Sequence, residues 1–409
     1  MTDADEEALI DQGILLPRDF RNRIDRIADV KDYDVEIPED LADRLKTAGE
    51  GLLIDPDVLL AAAAALGVGH VVLQGPPGTG KSSLARALCD AFHTEVIPVT
   101  AHEDWSTFEV IGRQELRFNA EGAEELAPIN GYFTDAVVRC AGSMRRHFDD
   151  SDEPQATWLL IDELNRAHLD RAFGELFTVL GTDEPVSVTL PHQREGNNNL
   201  VTPRRFRIIA TLNTVDRQFV NSLSQALRRR FTFITVDIPP RKPATETWGQ
   251  PGATSLANKE FALVSKKSAA RVVRRVADED EVEQKKQELE QLLAVNAMSS
   301  LIGLFNLVAQ MRYAQVEDHV PYIPVGTAQM IDTVELFLTR IAIEETDLEE
   351  MPQMMDWAAS VKIAPLLDSD TINNNDLERL ASGLTAPFDQ SFRSEIMQIA
   401  SAGMYYVAP

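Results

Sequence analysis

The sequence predicts an α/β fold: a parallel sheet packed between helices, followed by a helical domain. Three observations carry this expectation. Short apolar runs at His70–Gln74, Thr157–Ile161, Phe206–Leu212 and Thr232–Ile238 read as buried strands. The first of them leads through a glycine-rich loop straight into a helical stretch, Ser83–Cys89. Beyond residue 258 the strand pattern does not return, and the chain reads as helical.

Residues 75–82 read Gly-Pro-Pro-Gly-Thr-Gly-Lys-Ser. This fits G-x-x-x-x-G-K-[S/T], the phosphate-binding P-loop. A glycine-rich turn that binds nothing can carry the same letters. The strand before it and the helix after it favour the phosphate reading, because the free N–H groups of a helix start then face the anion. Pro76 and Pro77 lack an N–H, so the backbone donors begin at Gly78. The expected nucleotide-binding set is Gly75, Gly78, Thr79, Gly80, Lys81, Ser82 and Ser83. Lys81 would reach the β- and γ-phosphates, and the Ser82 hydroxyl would sit on Mg²⁺.

The run Thr157–Ile161 ends in Asp162-Glu163. Acidic residues at the C-terminal end of a parallel strand lie on the rim where such sheets bind ligands. Asp162 is expected to hold Mg²⁺, and Glu163 to orient or deprotonate the attacking water. Such a pair is more often a helix N-terminal charge. The P-loop in the same chain shifts the balance to catalysis. The third run ends at Asn213, whose amide can position a water or simply make a turn. Arg228, Arg229 and Arg230 then precede the fourth run, an unusual place for a solvated charge cluster.

These stretches together resemble an AAA+ ATPase. The order Gly75–Ser82, Leu159–Ala167, Ala210–Arg217 and Ala226–Phe231 is similar to the branch of MoxR-type ATPases, McrB motors and chelatase ATPase subunits, the dynein-related type. The Ile-Asp-Glu-Leu-Asn-Arg-Ala and Asn-Thr-Val-Asp-Arg stretches are closest to McrB-like members. The resemblance covers residues 50–240 well and 290–345 weakly. It implies a P-loop NTPase αβα sandwich with a helical lid, ATP as the nucleotide with GTP left open, and Mg²⁺. It makes Asn213 the sensor-1 residue and Arg229 and Arg230 arginine fingers, inserted into the neighbouring subunit of a homo-oligomeric ring, expected to be a hexamer.

Two insertions of the branch have counterparts: a hairpin within Ile111–Ala136, and a second from Pro185 to Arg204. Either can be an ordinary surface hairpin. One departure stands out. Where the family carries a sensor-2 arginine, this chain has Met330, with Gln329 and Arg312 as substitutes.

The 409 residues suggest several domains: an acidic helical segment 1–50, the nucleotide core 51–240, a linker and charged helix 241–294, a lid 295–360 and a helical tail 361–409. The formal charge is −26, with ten Lys against 29 Arg. This resembles halophile proteins, and it argues against broad electrostatic binding to DNA. Arg204, Arg205 and Arg207 remain a candidate basic pore. Cys89 and Cys140 form neither a disulfide framework nor a zinc spacing. The acidic start of the chain is unlike a signal peptide, no membrane span is expected, and the cytoplasm is the expected compartment.

On function, the favoured expectation is an ATPase that remodels or loads a protein client or adaptor, such as a von Willebrand-type domain protein. The alternatives are a McrB-like DNA translocation motor working with a separate nuclease, a chelatase motor subunit, and a nucleotide-switched ring with little turnover. The acidic balance and the lack of a DNA-reading domain favour the first.

Overall fold

The computed structural model describes residues 34–49, 51–118, 124–174, 176, 180, 187–190, 199–214, 225–276, 282–315, 317, 320–344, 348–369 and 372–402. It divides into two compact units. The first holds residues 1–75 and 81–236, the second residues 76–80 and 237–409.

The first unit is built on a five-stranded sheet. Its strands are β1 (His70–Gly75), β2 (Glu95–Thr100), β5 (Thr157–Asp162), β8 (Ile208–Asn213) and β9 (Phe231–Thr235), and all pairings are parallel. The spatial order is β2-β5-β8-β1-β9. Helix α2 (Pro56–Val68) starts at Asp55, whose side chain accepts the Asp57 N–H at 2.9 Å. Helix α3 (Lys81–Ala91) follows the loop after β1 and buries Leu84, Ala85, Leu88 and Cys89 against the sheet core. Helix α5 (Tyr132–Asp149) packs its Phe133, Val137, Cys140 and Met144 into the same core.

Strand β2 is not among the runs expected as strands, and it carries Pro98. Proline cannot donate to a ladder and so argues against an interior strand. Here β2 lies at the sheet edge, beside β5 alone, where a missing donor is tolerated. The run expected to continue to Ile238 is strand only to Thr235. Its partner β1 ends at Gly75, and the Val236 N–H bond to the Gln74 carbonyl, 2.7 Å, is the last between them.

Two hairpins project from this frame. Strands β3 (Gly112–Phe118) and β4 (Glu124–Asn130) pair antiparallel from Gly112 opposite Asn130 to Phe118 opposite Glu124. Strands β6 (Ser187–Thr189) and β7 (Asn199–Val201) form the second. Of the expected N-terminal segment, residues 1–33 lie outside the described residues, and Leu41–Gly49 is helix α1.

The basic pore expected of Arg204, Arg205 and Arg207 is corrected by burial. Arg205 is fully buried and ion-paired with Glu36. Arg207 donates to the carbonyls of Leu66 at 2.7 Å and Phe206 at 3.0 Å, and Arg204 faces Asp34 at 3.6 Å. These guanidiniums serve orphan carbonyls and carboxylates of the fold, which a buried charge requires.

The second unit is helical from residue 256 onward, with long helices at Leu256–Val276, Met298–Arg312 and Thr327–Glu344 and three more at Met351–Lys362, Asn374–Gly383 and Ser391–Ala402. A single apolar core runs from Phe261 to Ala400. Inside it Arg312 meets Glu260 in a two-pronged pair at 2.7 and 2.8 Å. Among the described residues no single helix is long and apolar enough to cross a membrane.

Candidate functional site

The sheet order decides which residues meet. Because β8 lies between β5 and β1, the tips of all three strands share one rim. Gly75, where the loop begins, pairs with Asn213, and the Thr214 N–H donates to the Gly75 carbonyl at 3.1 Å. Beyond Gly75, Gly78 and Gly80 have φ of +77° and +90°, backbone that favours glycine. The Thr79 hydroxyl donates to the Pro76 carbonyl at 3.0 Å and stiffens the turn.

Lys81 opens α3. It is 6% exposed, and its ammonium donates to the Gly75 carbonyl at 3.0 Å. Burial pulls its pKa down to about 8, against the opposing pull of Asp162 and Glu163. Ser82 donates its hydroxyl to Asp162, at 2.9 Å to Oδ1 and 3.1 Å to Oδ2. Ser83 is exposed on the next turn of the helix.

Asp162 ends β5. Besides Ser82 it accepts a hydrogen bond from the Thr211 hydroxyl. The Glu163 N–H donates to the same Thr211 hydroxyl at 2.9 Å. Glu163 has φ +55°, a left-handed conformation that side-chain-bearing residues seldom adopt outside functional turns. Its carboxylate is ion-paired with Arg166, three residues on. Asn165, buried, accepts the Asn213 N–H through its side-chain oxygen at 3.3 Å.

Ser82 and Asp162 present hard oxygen donors within hydrogen-bond distance of one another, the chemistry that suits Mg²⁺ beside a phosphate. The loop's backbone donors and Lys81 supply the complementary anion site. The residues present therefore fit a magnesium–nucleotide complex.

Arg228 and Arg229 are exposed and Arg230 is half-buried, just before β9. Phe231 pairs with His70, whereas the loop starts at the far end of β1, at Gly75. Arg230 is thus roughly 16 Å of strand from its own P-loop, at about 3.3 Å per residue. Met330 is fully buried in the core of the second unit. Arg312 is committed to Glu260 and to the Val325 carbonyl at 2.6 Å. Both side chains are thus engaged within the second unit.

Comparison with known proteins agrees with this geometry. A family model described as an AAA domain of the dynein-related subfamily matches residues 70–231. Residues 70–231 thus match an AAA domain, and the likeness is to the McrB/MoxR branch. Among its relatives is the type IV methyl-directed restriction enzyme EcoKMcrB subunit of Escherichia coli (strain K12), 30% identical over 177 residues, which are 41% of this chain and 35% of that one. An uncharacterized protein of Staphylococcus aureus (strain USA300) is 27% identical over 172 residues, 41% of this chain and 55% of that protein. The chain thus matches about a third to a half of the length of these relatives.

Within the AAA+ frame three residues went unnoticed in the sequence: Thr211, Asn165 and Arg166. Thr211 hides in an apolar run, two positions before Asn213 and so on the same face of β8. That spacing was the available signal. Asn165 and Arg166 lie in the stretch that carries the family likeness, and only the short helical turn after Glu163 reveals what they touch.

Proposed function

We propose that the chain is an ATP-hydrolysing subunit of a homo-oligomeric ring that remodels or loads a partner macromolecule. The observation that carries this is the convergence on Asp162. Ser82 from the P-loop helix and Thr211 from β8 both bond that carboxylate, and Thr211 also fixes the backbone of Glu163. In this reading Ser82 and Asp162 hold Mg²⁺, and Lys81 neutralises the phosphates. Glu163 aligns the water, and it must leave Arg166 to do so. Asn213 sits beside the loop start as the sensor. Bound Mg²⁺ supplies charge neutralisation of the phosphates. Arg229 and Arg230, at the other end of the sheet, act on the neighbouring subunit's nucleotide. The exposed Leu116 and Leu126, cross-strand partners on the β3–β4 hairpin, offer an apolar edge for a protein client.

Glu163→Gln tests the core of this. The variant is expected to bind Mg-ATP as the parent does while turnover falls at least a hundredfold, since the Mg²⁺ ligands survive and the base does not. Parent-level hydrolysis would remove the assignment.

A second reading rests on the likeness to the methyl-directed restriction enzyme subunit: a nucleotide-driven DNA motor working with a separate nuclease. The P-loop contacts phosphates and does not read the base. Competition between ATP and GTP, with duplex DNA present and absent, separates the readings. Strong guanine preference and DNA-stimulated turnover support the second.

A further inference from the structure

The chain has 39 basic against 65 acidic residues. The helix Leu256–Val276 of the second unit reverses that balance. It holds six basic residues, Lys259, Lys266, Lys267, Arg271, Arg274 and Arg275, and one acidic residue, Glu260. All six are exposed. Glu260 is buried and turned inward to Arg312.

Two of the six are answered by a neighbouring helix. Arg271 donates to Asp332 at 2.8 Å and to Glu335 at 3.0 Å, and Arg275 pairs with Glu335. On the following helix, Val282–Val295, Glu283 and Glu288 face that helix's own Lys286 at 3.5 Å and Lys285 at 3.1 Å. Lys259, Lys266 and Arg274 have no ion-pair partner among the described residues. They follow one another at intervals of about two turns, so they share one face, a stripe roughly 22 Å long at about 1.5 Å per residue. Leu263 and Ala270 lie on the same face between them, half-buried. The face is thus an apolar seam interleaved with cations. Like charges three and four residues apart, as in Lys267, Arg271 and Arg274, weaken the helix that bears them. A face that keeps them points to a counter-charge supplied from outside.

We propose that this face docks a short acidic segment of a partner protein. The segment is a helix whose carboxylates meet Lys259, Lys266 and Arg274 and whose apolar residues lie on Leu263 and Ala270. The charge of the whole chain favours protein over nucleic acid. A DNA duplex carries one charge per about 1.7 Å of its axis and runs on past the end of the stripe. Its remaining phosphates then meet a chain of net charge −26. A short acidic helix ends with the stripe and escapes that repulsion. The docking needs no nucleotide and stands apart from the hydrolysis reading above.

The test is fluorescence anisotropy with the full chain and a labelled helical peptide. Its glutamates are spaced as Lys259, Lys266 and Arg274 are, and its leucines as Leu263 and Ala270 are. A second peptide has glutamine for each glutamate, and a short DNA duplex is the third probe. The parent is expected to bind the glutamate peptide about tenfold or more tightly than the glutamine peptide at low salt, with the difference shrinking as salt rises. The triple variant Lys259→Gln, Lys266→Gln, Arg274→Gln should bind both peptides alike and melt as the parent does, because all three side chains are exposed. Leu263→Ser should weaken both peptides at every salt concentration. A parent that binds neither peptide, or both equally, would overturn the proposal. So would a triple variant that keeps the parent's preference. Tighter binding of the duplex than of the glutamate peptide, lost in the triple variant, would replace the acidic protein segment by nucleic acid.

Discussion

The Thr211 hydroxyl accepts the backbone N–H of Glu163 at 2.9 Å. The same hydroxyl donates to Asp162. One buried threonine therefore fixes both acidic residues at the tip of β5, and it does so from the neighbouring strand.

Thr211→Val keeps the shape and removes the hydroxyl. The Glu163 N–H then loses its partner in a half-buried site, at a stability cost of about 1–3 kcal/mol. Turnover is expected to fall about tenfold or more with nucleotide affinity held within about twofold, because the P-loop is untouched while Glu163 loses its register. Thr211→Ser should restore most of the rate. A Val variant with parent kcat and lowered melting temperature would make Thr211 structural only.

The separation of Arg230 from its own P-loop bears on assembly. Phe231 opposite His70 places the arginines at the wrong end of β1 for action in cis. Arg230→Ala is expected to bind nucleotide almost normally and to lose about a thousandfold or more in turnover, the range of an arginine supplied in trans. Arg229→Ala is expected to do the same to a smaller degree. Mixing Arg230→Ala with Glu163→Gln should recover part of the activity, since some mixed interfaces join an intact site to an intact finger. Full activity from a strict monomer, by light scattering beside the assay, would remove the trans model. A melting temperature lowered in step with activity would assign Arg230 to anchoring β9.

Lys81 makes binding depend on pH. Its folded pKa is about 8, below the ordinary 10.5, through burial. Between these values the unfolded chain binds the extra proton, so the nucleotide-free protein gains stability from this group as pH rises through that window. Binding runs the other way. A neutral amine offers no charge to a phosphate, so nucleotide affinity should fall as pH climbs above about 8. A bound phosphate favours the ammonium, so binding near pH 9 should take up a proton. Calorimetry in two buffers of different ionisation heat measures that uptake; no uptake at pH 9 would contradict the burial effect at Lys81.

The local motifs were readable because their physics is local. Gly75 to Ser82 must turn a chain from strand to helix, and Asp162-Glu163 must end a buried run, whatever the rest of the protein does. The parallel α/β class followed from the apolar runs, since strands covered on both faces show little alternation. The edge strand Glu95–Thr100 carries Pro98, which a sheet accepts only at an edge, and edges are a property of the assembled sheet.

The P-loop pattern, the acidic strand tip and the α/β class with helices after it could be read from the residues alone. Adjacency could not, because it is set by the folded chain. Strand order puts β8 beside both β1 and β5, and so brings Asn213 to Gly75 and Thr211 to Asp162. Burial turned Arg205 and Arg207 from a candidate pore into supports of the fold. Helix phase sent Met330 into the core and its neighbour Gln329 to the loop. The reason is common to all three. Periodicity along the chain tells which face of an element is apolar, while lateral pairing and helix rotation depend on contacts between residues far apart in sequence.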